Sequence, residues 1–286
     1  MVFNDNGNDK HFNLSELTMD VLTIDNITYN YTSQQVAVSN ISFSVKQGEI
    51  FAIIGSNGCG KTTLLHLVSG LLFPTEGDIQ FKGQSITEKT LKDQPFNKHF
   101  RESLGYVFQN PDSQLFCPTV LDELLFGSLQ MGKDKQTAME RANAIMEMLN
   151  IGCLKDRPPY MLSGGEKKRV AIGAVLSTNP DVILIDEPMA ALDPKTRSFL
   201  IELLIHLNEA GKTIVLTTHH LELIDHLQPR VAVLSENHTI ERTGSAEDIL
   251  KDTELLVRTN LISEHWHRHG NQVHKHLPPN FLFHKH

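Results

Sequence analysis

One stretch, Gly55-Ser56-Asn57-Gly58-Cys59-Gly60-Lys61-Thr62-Thr63, limits what this chain can become more than any other. It fits the spacing G-x-x-x-x-G-K-[ST], and its flanks supply the context that spacing needs. Ile50 to Ile54 before it is a short apolar run rich in β-branched and aromatic residues, the pattern of a buried strand. Thr63 to Ser69 after it carries apolar residues at helical spacing. Strand, glycine loop and helix together make a phosphate cradle. The glycines let successive N–H groups point inward, and the helix N-terminus adds a partial positive charge. Lys61 would reach the β- and γ-phosphates, and the Thr62 hydroxyl would be a magnesium ligand. The alternative is a glycine-rich turn that happens to end in Lys-Thr, and the flanking strand and helix argue against it. The reading is a nucleoside-triphosphate binder.

A chain of 286 residues has room for one large α/β domain, or a domain plus an appendage, and 40% hydrophobic residues suffice for a core. No apolar run approaches the roughly 20 residues needed to span a bilayer. Met1 to Lys10 is polar and lacks a signal-peptide centre, which predicts an intracellular protein. The formal charge of −8 argues against nucleic acid as a partner. Cys59, Cys117 and Cys153 are scattered, as reduced thiols are, and fit neither a disulfide nor a zinc framework. Cys59 occupies a variable position of the phosphate loop, where it could confer sensitivity to thiol reagents.

Along the chain, residues 1–19 are polar and aperiodic, a loose lead-in. Val21–Thr28 and Val36–Val45 alternate as antiparallel strands do. Tyr31 between them is either a stacking platform for an adenine ring or a hairpin aromatic covering the small sheet. Gly77–Gly83 reads as a strand ending in a turn, residues 84–103 as irregular or weakly helical, and Ser103–Gln109 as a buried strand. Residues 119–178 read as helical. Strand patterning returns at Asp181–Asp186, followed by helix 194–210, strand Thr213–Thr218, short strands at Arg230–Ser235 and Thr239–Thr243, and a helix from Ala246.

Five further signals follow the phosphate loop in order. Gln109 ends a strand. Leu162-Ser163-Gly164-Gly165-Glu166 opens a helix. Val182-Ile183-Leu184-Ile185-Asp186-Glu187-Pro188 is an apolar strand ending in two carboxylates, and Ala191-Leu192-Asp193-Pro194 comes next. His219 ends the following strand. From about Val21 to Leu250, this ordered set resembles the ATP-binding-cassette (ABC) ATPases. The resemblance implies an α/β fold, a P-loop NTPase of the ABC nucleotide-binding type with an antiparallel β subdomain and an inserted α-helical subdomain. The ATPase domain would span 20–252, with its helical part at about 110–178, followed by a tail over 253–286.

It also implies ATP and Mg2+ as substrate and cofactor. Tyr31 and residues 55–63 would bind ATP. Thr62, Gln109 and Asp186 would hold magnesium, Asp186 from the C-terminal edge of a buried strand. Glu187 would polarise the attacking water, and His219 would touch the γ-phosphate and orient the water. His220 departs from the family, which carries aspartate there. Ser163, Gly164, Gly165 and Glu166 form a second helix N-terminus suited to phosphate. By resemblance these residues, with Asp193 at the seam, serve the nucleotide of a partner subunit. The active unit would be a head-to-tail dimer, either a homodimer or a heterodimer with a similar ATPase.

Among cassette proteins, chromosome-maintenance relatives insert coiled coils between the phosphate loop and the signature, and translation-factor relatives carry two cassettes. Here Lys61 and Ser163 lie only 102 positions apart, no heptads fill the gap, and there is one cassette. That favours a transporter subunit on the cytoplasmic face of the cell membrane. Tyr106–Phe116 and Leu162–Ala171 are similar to the energy-coupling-factor importers, especially their cobalt and nickel ATPases. The partners implied are a transmembrane coupling subunit and a solute-binding membrane subunit. Pro111–Phe116 would dock a coupling helix, with Leu115 and Phe116 exposed. Uptake of another solute, such as the vitamin biotin, and a soluble non-transport ATPase are the alternatives.

The tail from His265 to His286 holds seven histidines in 22 residues: His265, His267, His269, His274, His276, His284 and His286. Alternate imidazoles can chelate Ni2+ or Co2+. A polar tail with fortuitous histidines or a purification remnant is the alternative.

Overall fold

Apolar residues in the central strands run without interruption, which requires a sheet covered on both faces. In the computed structural model, which describes residues 19–32, 35–263, 265–269 and 272–276, such a sheet forms. The chain begins β1 (Asp20–Thr32), β2 (Gln35–Lys46), β3 (Ile50–Ile54), α1 (Lys61–Val68), β4 (Glu76–Phe81) and β5 (Gln84–Ser85). It continues α2 (Gln94–Ser103), β6 (Leu104–Val107), α3 (Val120–Gln130), α4 (Lys135–Met148), α5 (Gly164–Leu176), β7 (Val182–Asp186) and α6 (Pro194–Glu209). Then come β8 (Thr213–Thr218), α7 (Leu221–Leu227), β9 (Arg230–Leu234), β10 (Ile240–Ser245), α8 (Ala246–Lys251) and α9 (Thr253–Arg258). A hairpin of β11 (His265–His269) and β12 (Gln272–His276) follows. The expected lead-in, residues 1–18 of it, lies outside the described residues.

The central sheet has the order β10-β9-β3-β8-β7-β6. Its strands from β9 to β6 run parallel, and β10 is antiparallel to β9. Side chains alternate between two cores, as the pleat dictates. Ala52, Ile54, Ile183 and Ile185 face the helices α3 to α6. Phe51, Ile53, Val182 and Leu184 face α1 and the antiparallel sheet β2-β1-β4-β5. Each of these Val, Leu, Ile and Phe side chains contributes about 1.5–3 kcal/mol by leaving water, so the strands are held firmly from both sides.

That rigidity matters because β3, β6, β7 and β8 all point their C-terminal ends the same way. Ile54 pairs with Thr218, Asp186 with Thr217, and Val107 with Ile185. The phosphate loop, Gln109, Asp186–Glu187 and His219 all follow directly from these ends. Open α/β sheets bind ligands at this edge.

Three departures from the sequence reading have simple causes. Residues 94–103 form the regular helix α2, with Pro95 in its first turn and Phe96 and Phe100 four apart and buried in the core. Polar composition hid this helix, because only one narrow face is covered. The packed body also continues past Asp252: α9 buries Leu255 and Leu256, with Leu261 and Ile262 against them. Finally, Gln109 and His219 lie just beyond their strands rather than on them.

Candidate functional site

The phosphate loop leaves β3 at Ile54 and enters α1 at Lys61. Gly60 has φ +109°, and a Cβ there would meet the Ala37 carbonyl oxygen at 2.2 Å, so only glycine fits this tight entry. Lys61 is buried and folds back on its own loop. Its Nζ donates to the carbonyls of Gly55 (2.9 Å) and Ser56 (3.0 Å) and lies 3.4 Å from Glu187 Oε1. Loop carbonyls and a carboxylate thus hold the ammonium beside the cleft lined by Asn57, Gly58, Gly60, Thr62, Thr63, Gln109 and Glu187.

Two strand-end carboxylates complete that cleft. Asp186 is buried, and its Oδ2 accepts from Thr62 Oγ1 at 2.7 Å while Oδ1 accepts from Thr217 Oγ1. Two residues expected to share an ion are therefore in direct contact across 124 positions of sequence. Glu187 is 4% exposed and adopts φ +42°, a left-handed conformation that L side chains enter at a cost of about 1–3 kcal/mol. Its backbone N–H, donating to Thr217 O at 3.1 Å, helps hold it there. Glu187 Oε1 accepts from His219 Nδ1 at 2.9 Å, while Oε2 is buried without a hydrogen-bond partner among the described residues. An ionised carboxylate only accepts, so the bond places the His219 proton on Nδ1.

His220, at the N-cap of α7, packs against His219 with ring centroids 4.2 Å apart and the rings tilted by 35°. Burial, and then the neighbouring His219, holds its pKa below the ordinary imidazole value, so it is neutral at neutral pH. Tyr31 is half-exposed. Its hydroxyl bonds to Thr63 Oγ1 at 3.1 Å, and its ring meets Tyr29 edge-on. The ring therefore stands beside the phosphate loop with a free side. Cys59 is buried and its pKa is raised by desolvation, both of which oppose attack by thiol reagents.

The signature residues lie apart from this cleft. Ser163 caps α5 in a capping box with Glu166, whose pKa is lowered by the Ser163 bonds. Asp193 caps α6, accepting from Thr196 N (3.1 Å) and Oγ1 (2.6 Å), and its pKa is lowered for that reason. Ser163, Gly165, Glu166, Asp193 and Thr196 line one surface hollow. Gly164 lines a separate one with Gln109, Lys167 and Lys168.

Sequence reading missed how the Gln109 loop is tethered. The buried ammonium of Lys168, on α5, donates to the carbonyls of Phe108 (3.0 Å) and Gln109 (3.3 Å). Gln114 bridges Phe108 N and the Ala171 carbonyl, and Lys167 pairs with Asp112 at 2.6 Å. Burial lowers the Lys168 pKa to about 8, opposed by Asp186 and Glu187. Lys168 lies near the start of α5, and only its burial marks it out from Lys167 and Arg169 beside it.

The segment expected to dock a membrane subunit needs one correction. Phe116 is 69% exposed and stacks edge-on with Phe126, 4.9 Å between centroids. Leu115, expected to be exposed as well, is partly buried and packs on the helical core. The buried Glu123 accepts from the N–H groups of Phe116 and Cys117, turning the chain so that adjacent side chains point opposite ways. Among the described residues, no helix is long and apolar enough to cross a membrane.

The phosphate loop, the strand-end carboxylates and the sheet around them have counterparts in known proteins. The ABC transporter family profile matches residues 38–190. A putative ABC transporter ATP-binding protein of Methanosarcina acetivorans is 46% identical, covering 87% of this chain and 92% of its own. The energy-coupling factor transporter ATP-binding protein EcfA of Methanosphaera stadtmanae is 36% identical over 84% of this chain and 85% of its own. The nickel import ATP-binding protein NikO of Rhodobacter capsulatus is 40% identical over 79% and 90%. Among solved structures, cbiO1 of Clostridium perfringens, part of the ABC transporter complex cbiONQ, superposes with a TM-score of 0.72 at 34% identity. That match covers 85% of this chain and 95% of cbiO1. Sequence, fold and cleft agree: the chain belongs to the ABC transporter family and is the ATPase subunit of such a transporter.

Proposed function

We propose that the chain hydrolyses ATP at composite sites in a head-to-tail dimer and drives an energy-coupling-factor importer for cobalt or nickel ions. The observation that carries the dimer is the separation of the two half-sites. The cleft around Lys61 includes none of Ser163, Gly165, Glu166 or Asp193, which face another surface of the same chain. A second copy, or a similar ATPase, would bring its signature over this cleft.

Within the cleft, Lys61 would leave the carbonyls of Gly55 and Ser56 for the β- and γ-phosphates, and the backbone N–H groups of residues 55–63 would close round them. Tyr31 would carry the base on its free side. Thr62, Gln109 and Asp186 offer hydroxyl, amide and carboxylate oxygens, a hard donor set that suits Mg2+, and the Thr62–Asp186 contact shows two of them converging. When bound, that ion would neutralise charge on the phosphates. Glu187, with Oε2 unpartnered, would take the proton of the attacking water, and His219 would hold Glu187 in place and meet the γ-phosphate.

Supporting the importer reading are the named relatives and the exposed Phe116–Phe126 pair beside the Gln109 loop, suited to a coupling helix of a transmembrane subunit. The histidine tail supports a transition-metal cargo. The backbone register of β11 and β12 pairs His265 with His276 and His267 with His274. His284 and His286 lie outside the described residues. Alternate imidazoles in this sequence would hold Ni2+ or Co2+ reversibly. The test is uptake of radiolabelled Ni2+ and Co2+ by cells expressing the chain with a transmembrane coupling subunit and a solute-binding membrane subunit. ATP-dependent accumulation that Glu187→Gln removes is expected, whereas accumulation of biotin in place of metal would refute the cargo.

A further inference from the structure

We infer that Glu187, His219 and His220 form a binding site for a borderline transition-metal dication such as Zn2+, whose occupancy switches ATP hydrolysis off. A carboxylate oxygen of Glu187 and one ring nitrogen from each histidine lie within 4.8 Å of one another. Ligands about 2.0–2.2 Å from one ion sit roughly 3.3–3.6 Å apart, so small side-chain rotations close the set.

The donors are also prepared. Glu187 Oε2 is buried and has no hydrogen-bond partner among the described residues, while the opposing cation, Lys61, sits on Oε1. An ion seated between His219 and Glu187 would replace the His219 Nδ1–H···Glu187 Oε1 hydrogen bond, the ring carrying its proton on Nε2 instead. His220 supplies the second imidazole, its ring centroid 4.2 Å from the first. Two nitrogens and one oxygen select Zn2+, Ni2+ or Co2+ over Mg2+, so a cell's magnesium would not fill the site. An ion there would occupy the lone pairs that Glu187 needs for the attacking water. Hydrolysis would stop while the phosphate loop still bound nucleotide.

This switch rests on the proposed role of Glu187, but binding itself does not, and the two are measured separately. The full-length chain carrying all seven tail histidines as serine is titrated with Zn2+ by calorimetry without nucleotide, and its ATPase is assayed at saturating Mg2+–ATP with added Zn2+. One equivalent bound, and inhibition over the same concentration range, are expected. Adding His220→Asn, a residue suited to its helix-cap position, should weaken binding at least tenfold and raise the half-inhibiting concentration by the same factor. His220→Gln should do likewise, and turnover without Zn2+ should stay within about twofold in both. Failure to bind Zn2+, or inhibition that neither substitution moves, would overturn the site. Binding without inhibition would overturn the switch.

Discussion

Replacing Lys168 with methionine tests whether a buried charge tethers the Gln109 loop. Methionine keeps the length and bulk and removes the donor. Two opposing terms set the effect. Loss of two charged hydrogen bonds, to Phe108 O and Gln109 O, costs about 1.5–3 kcal/mol each. Relief of desolvation returns much of that: a pKa lowered from 10.5 to about 8 means the folded protein bears about 3 kcal/mol to keep Lys168 charged. At pH 7 the net change in stability should therefore stay within about 2–3 kcal/mol. The pH dependence is sharper. Between pH 8 and 10.5 the unfolded chain binds the Lys168 proton more tightly than the folded one, so stability from this group rises with pH across that window. Lys168→Met lacks this gain. The stability difference between parent and variant should move in the parent's favour by about 3 kcal/mol, most of it by pH 10. Denaturant unfolding at pH 7 to 10 measures this, because other titrating groups cancel in the difference. With the loop untethered, ATP turnover at pH 7 should fall about tenfold or more while nucleotide binding persists. Parallel stability curves across that range, or unchanged turnover, would refute the tether.

Four further outcomes are expected. Glu187→Gln should bind ATP, lose turnover by about 10²–10⁴-fold and accumulate as a nucleotide-bound dimer by gel filtration; turnover near the parent's would remove the general base. Ser163→Arg should bind ATP at parental affinity yet not hydrolyse it, and mixing it with Lys61→Ala should recover part of the activity through one intact composite site. A Ser163→Arg protein unable to bind ATP would sink the in-trans assignment. Phe116→Glu should abolish co-purification with the transmembrane subunit while basal ATPase persists. Replacing the seven tail histidines with serine should remove all but one equivalent of Ni2+ binding at neutral pH and leave ATPase activity unchanged. Binding to the parent's tail should itself weaken below about pH 6.5, where imidazole is protonated.

The phosphate loop, the signature and the acidic strand were legible because each is a local device. Gly60 needs its left-handed turn from immediate neighbours, Ser163 finds its capping partner three residues on, and the Val182–Asp186 run states its double burial in its own composition. Periodicity could not say what those pieces face. Thr62 meets Asp186 only because β8 lies between β3 and β7, bringing their ends level. Lys168 looks like one more charge on a basic helix until the Gln109 loop covers it. Leu115 turns inward as Glu123, eight residues on, gathers the backbone N–H groups of the two residues that follow it. The left-handed Glu187 and the close packing of His219 on His220 are likewise tertiary facts. Local propensity assigns each residue an element, but partners distant in sequence are chosen by the sheet order and by which groups must be satisfied once water is excluded.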